Sequence, residues 1–125
     1  MVIIMKSELC KNSKILLPTH EPGGLDVKIY PHWASAPTYT FVKIDNGVPS
    51  EISIHKLKSD DLLIKLIKKL GVKFVIAASL SIRALTLLEK IEVKVATSAP
   101  IIVKDAIDKF CKGNLRFVKV CYYKI

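Results

Sequence analysis

Residues 73–79 read KFVIAAS, an almost unbroken apolar run of strand length set between two amphipathic segments of helical period. A strand that is apolar on both sides needs cover on both sides, and a parallel sheet with helices on its two faces supplies it. The flanking segments agree with this. Over 60–70, Leu62, Leu63, Leu66, Ile67 and Leu70 fall on one helical face. Ser59 is a fitting N-cap, Asp60 and Asp61 complement the positive end of the helix dipole, Lys68 and Lys69 complement the other end, and Gly71 closes the helix. A second helix is predicted over 82–90, capped by Ser81 or Ser79, and a short strand over 93–97. A third helix is predicted over about 101–112, with Val103, Ala106, Ile107, Phe110 and Cys111 inward and Gly113 at its end.

The first half carries a different pattern. Residues 14–19 (KILLPT) read as a buried strand, and 38–45 (TYTFVKID) have the aromatic and β-branched content of another. Asp45-Asn46-Gly47 supplies a tight turn, and a return strand follows over roughly 50–57, where Ile52 and Ile54 alternate with polar residues. Antiparallel pairing in the first half and right-handed parallel crossovers in the second give one α/β domain over 1–125, with a core at about 14–114. Its expected architecture is a mixed five-stranded sheet with helices on both faces. From Leu115 onward two readings stand: an added edge strand, or a tail that packs or forms a homodimer.

At 125 residues, half of them apolar, the chain suits a single domain with a real core. No apolar run approaches the roughly 18 residues that cross a bilayer, and the opening MVIIMK lacks a signal-peptide pattern, so a soluble cytoplasmic protein is expected. The net charge of +9 raises the question of nucleic acid. Eighteen of the twenty basic residues are lysine, however, and they are dispersed, which reads as a solvated coat ahead of a binding stripe and keeps a weak nucleic-acid binder only as an alternative. With abundant lysine and isoleucine and no glutamine, the composition is thermophile-like. The three cysteines, Cys10, Cys111 and Cys121, show no CxxC spacing and are odd in number, so no disulfide framework or zinc knuckle is expected. Cys111 reads as a small core hydrophobe, and Cys10 is left open.

The stretch from Leu17 to Pro37 combines prolines, the Gly23-Gly24 pair and two of the three histidines between two strands. Loops at strand ends are where α/β domains place their sites, and neutral imidazole is a common metal ligand. A strand, a Gly-Gly-Leu-Asp turn (Gly23 to Asp26), a Pro31-His32 step with an aromatic at Trp33, and Ser35-Ala36-Pro37 follow in order. They are joined by the hairpin turn and by Leu70-Gly71-Val72 leading into a strand with Ile76-Ala77. This ordered set resembles the dinitrogenase iron–molybdenum cofactor biosynthesis family over about 14–114.

The resemblance implies a three-layer ribonuclease-H-like fold and a small, non-enzymatic binding protein. It also implies an iron–sulfur or iron–molybdenum cluster precursor as cargo, held at the loops after the parallel strands. His32 and His55 would be metal ligands, and Gly23, Gly24, Trp33, Ser79 and Ser98 would line the site. The chain departs from the family at three loops that usually carry glycine: Lys56-Leu57-Lys58, Ser79-Leu80-Ser81 and Thr97-Ser98-Ala99-Pro100. Against the metal reading stands a plainer one. His32 then fixes its loop by hydrogen bonding, His20 and His55 are solvated, and Trp33 packs its loop. The chain would then be a protein–protein interaction module that kept the fold and takes no cofactor. The acidic residues Asp26, Asp45, Glu51, Asp60 and Asp61 fall in turns, on a strand face and at a helix start, which does not suit a magnesium nuclease.

Overall fold

A computed structural model describes residues 10–120; the apolar opening of the chain and residues 121–125, including Cys121, lie outside the described span. The element order is β1 (Asn12–Thr19), β2 (Thr38–Asp45), β3 (Val48–His55), α1 (Asp60–Leu70), β4 (Phe74–Ala77), α2 (Ile82–Lys90), β5 (Lys94–Thr97), α3 (Val103–Cys111) and β6 (Arg116–Val118). A 3-10 turn at Trp33–Ser35 interrupts the long β1–β2 connection.

The six strands form one sheet in the order β3-β2-β1-β4-β5-β6. β1, β4 and β5 are parallel, and β2, β3 and β6 pair antiparallel. The expected count of five is therefore corrected to six: Arg116, Phe117 and Val118 pair with Thr97, Ala96 and Val95, which settles the open reading of 115–120 as an edge strand. The strand follows Gly113 (φ +72), which turns the chain back from α3 onto the free side of β5.

The sheet separates two cores. On one face Leu16, Phe41, Val75 and Val95 meet Leu63 and Ile67 of α1 and Leu88 of α2. On the other, Ile15, Leu17, Val42, Ile76 and Ala96 meet Val103, Ala106, Ile107 and Phe110 of α3. Each fully buried side chain of this size contributes about 1.5–3 kcal/mol, so the packed faces outweigh intrinsic propensity in fixing the helices. Leu62 departs from the expected inner face of α1 and is 49% exposed, because its neighbour Leu63 takes the inward position.

The caps follow the sequence. Leu62 N–H donates to Ser59 Oγ and Ala84 N–H to Ser81 Oγ, and Gly71 ends α1 at φ +70. Each side-chain cap contributes about 1 kcal/mol. α3 has none. Its first-turn donors are satisfied by the long loop: Val103 N–H donates to the Val27 carbonyl and Lys104 N–H to that of Leu25, at 2.8 and 3.0 Å.

The expectation that the cysteines stay unpaired is also corrected. Cys10 and Cys111 form a disulfide across 101 residues, with Cα atoms 5.3 Å apart. Spacing along the chain could not report this, because the pairing depends on Cys10 packing into the core beneath the end of α3, where it is 3% exposed.

Candidate functional site

The carboxyl ends of β1, β4 and β5 lie side by side, and the loops that leave them are cross-linked by backbone hydrogen bonds. Trp33 N–H donates to the Ser79 carbonyl (3.2 Å), which joins the His32 loop to the end of β4. Ser98 N–H donates to the Ala77 carbonyl (3.1 Å), which brings the β5 loop to the same place. Ile29 N–H donates to the Ile101 carbonyl at 2.9 Å, so the β1 loop also reaches the segment before α3. His32 and Ser79 are exposed and Ser98 is half-buried on this rim.

A stack of rings runs along the long loop. Tyr30 stands edge-on between His20 and His32, with centroid separations of 5.0 and 6.4 Å. Both imidazoles therefore flank one phenol ring.

Gly23 and Gly24 are fastened elsewhere, to the antiparallel half of the sheet. Gly24 N–H donates to Thr40 Oγ1 (3.0 Å), and Thr40 in turn meets Thr19 Oγ1 (2.9 Å), itself 2.7 Å from Thr38 Oγ1. All three threonines are fully buried, and Thr38 Oγ1 donates to the Thr19 carbonyl at 2.9 Å. This hydroxyl cluster fixes the turn without a charged group. It was readable in principle, since Thr38 and Thr40 share a strand face and Thr19 ends the neighbouring strand, but buried threonines give no periodic signal of their own.

His55 sits at the end of β3, opposite Tyr39, and its Nε2 is 2.8 Å from Ser53 Oγ. Trp33 is 4% exposed, with its indole edge-on to Tyr39 at 5.4 Å, inside the α1–α2 core and away from the open rim. Among the described residues no three His, Cys, Asp or Glu side chains gather as a metal site.

Sequence reasoning missed a groove of about 400 Å³ between the Ala34–Pro37 turn and the β3–α1 connection. Lys56 and Lys58 line it, with Glu21 on the opposite side, 3.6 Å from Lys56 Nζ. It lies directly after His55, where the expected glycines are replaced by lysines. The signal was present as that departure from the family, and its meaning depended on the loop folded across from it.

The decisive likeness is that the model of the dinitrogenase iron–molybdenum cofactor family matches residues 13–113. The chain belongs to this family. Solved structures show the same fold at low identity. The apo form of the orange protein from Desulfovibrio gigas is 18% identical, with 85% of this chain and 92% of that one covered and a TM-score of 0.70. A Methanocaldococcus jannaschii protein provisionally named a dinitrogenase is 16% identical, over 86% and 95% of the two chains, with a TM-score of 0.72. A Thermotoga protein provisionally named NifB is 17% identical, over 90% and 98%, with a TM-score of 0.71. No curated protein matches the chain. No helix among the described residues is long and apolar enough to cross a membrane.

Proposed function

We propose that this family member is a non-enzymatic carrier that holds a small anionic metal species, an iron–sulfur or iron–molybdenum cluster precursor, at the rim formed by the loops after the parallel strands. The observation that carries the reading is the Trp33–Ser79 hydrogen bond, which holds the exposed His32 loop against the end of β4 in a chain matched to the cofactor family over 13–113. Strand order 3-2-1-4-5 with an antiparallel hairpin at one edge supports the ribonuclease-H-like description, to which β6 is an addition.

With few ligating side chains at hand, the cargo would be held mainly by charge and hydrogen bonds. His32 supplies an imidazole at the rim, with Ser79 and Ser98 beside it. Lys56 and Lys58 supply positive charge in the groove beyond His55, suited to an anion. Gly23 and Gly24 serve this reading by fixing the turn that precedes the His32 loop, and Trp33 by anchoring it.

Anaerobic incubation with ferrous iron, sulfide and tetrathiomolybdate, then desalting, metal analysis and visible absorbance, tests the proposal. Bound metal in stoichiometric amount, reduced at least tenfold in His32→Ala and in the Lys56→Glu/Lys58→Glu pair, is expected. A wild-type protein that emerges metal-free removes the carrier role.

A further inference from the structure

The two edges of the sheet are treated differently. At the β3 edge the β2–β3 ladder slips between Lys43 and Ile44 of β2, and Pro49 removes a donor. These are the devices by which natural sheets keep an edge from pairing with another chain. β6, three residues long and bearing Arg116, has no slip in its ladder with β5. Among the described residues nothing pairs with its outer side, it has no proline, and Phe117 is 43% exposed.

Beside β6 lies a groove of about 810 Å³, at the opposite end of the sheet from the loop rim. Its floor is apolar: Phe74, Val93, Phe117 and Val118. Its rim balances Glu89 and Glu92 against Lys94 and Lys119. That balance matters in a chain of net charge +9, because Glu89 and Glu92 offset part of the repulsion that the lysines and Arg116 of β6 would bring to a contact between two copies.

We propose that β6 is a self-association edge, at which a second copy of this chain adds its own β6 antiparallel about a two-fold axis and seats its Phe117 over the groove. A two-fold contact requires a self-complementary patch, and a rim with equal numbers of acids and lysines meets that requirement. The pairing extends one sheet across both copies and satisfies the outward backbone groups of both strands. It is independent of any cargo, since the loop rim stays open at the other end of each sheet.

Sedimentation velocity on the full chain from about 5 to about 500 µM tests the proposal, a range that brackets weak to moderate dimers. A concentration-dependent dimer is expected in wild type. Glu92→Lys, on an exposed turn, should weaken it at least tenfold at low salt and less so at high salt. Phe117→Asp should abolish it; because Phe117 also touches Phe74 and Phe110, circular dichroism must show this variant folded. Ile52→Lys on β3 should leave the dimer intact. A monomer at every concentration overturns the proposal, as does a dimer indifferent to Glu92→Lys or one lost in Ile52→Lys.

Discussion

A Cβ placed on Gly23 would lie 2.7 Å from Cγ2 of Ile54. That contact, together with φ of +83°, makes Gly23 the position where the turn before the His32 loop has no room for a side chain. Gly24 has a similar φ of +97° but faces open space. Gly23→Ala should therefore cost about 2–4 kcal/mol and Gly24→Ala about 1–2, the excess being the clash with Ile54. Urea denaturation of the two variants checks the ranking, and equal losses would show that Ile54 yields freely.

Tyr39 donates its hydroxyl hydrogen to the Trp33 carbonyl. Burial raises its pKa above the ordinary 10.0; an Ala36 backbone hydrogen bond opposes the rise and the Asp60 charge adds to it. The folded state thus disfavours the phenolate. Its contribution is constant below the unfolded value near pH 10, and falls as pH rises from there through the folded pKa, because the unfolded chain releases the proton first. Wild type should lose more stability than Tyr39→Phe between about pH 9 and about pH 11, while Tyr39→Phe should be about 1 kcal/mol less stable at neutral pH. Chemical denaturation at the two pH values measures both differences.

The Cys10–Cys111 bond closes a loop of nearly the whole described chain. Loops of this length stabilise by roughly 2–5 kcal/mol, mainly through the unfolded state, so reduction or Cys111→Ser should lower Tm by about 10 °C. Thiol titration of the denatured, unreduced protein should find one reactive cysteine, and three after reduction. An unchanged Tm under reductant would assign Cys10 and Cys111 to packing alone.

Thr40→Val should remove the acceptor of the Gly24 N–H and a partner of Thr19 in one step. Leaving those buried groups unmatched costs about 1–3 kcal/mol, more than the same change at the half-buried Thr86, whose hydroxyl bonds only the Ile82 carbonyl of its own helix. Amide exchange at Gly24, read by NMR, should accelerate in Thr40→Val and stay slow in the Thr86→Val control.

What the chain made legible, and what it did not, divides by range. The bounds of α1 and α2 agree with the expected 60–70 and 82–90, because their signals are local: a serine cap and an apolar stripe in both, and a glycine stop in α1. The antiparallel hairpin at Asn46-Gly47 likewise rests on adjacent residues. The disulfide escaped, and the sixth strand stayed one of two readings, because each depends on two segments distant in sequence meeting in space. The site divides the same way. His32 and the glycine pair were visible as residue types, but Trp33 lies inside the core because its position depends on Tyr39. The Lys56–Lys58 groove exists only once the Ala34–Pro37 turn folds across from it.

The long loop between β1 and β2 contributes Ile29 to the core on the α3 face and Trp33 and Ala36 to the core on the α1–α2 face. It wraps over the ends of the parallel strands and ties together two halves that the sheet keeps apart. Loosening it would open both sides at once, so the domain has no independent upper and lower storey to melt separately. A molecule resting on the rim would press on this tie, and its arrival would be felt as a firmer whole, measurable in amide exchange on the far face of the sheet.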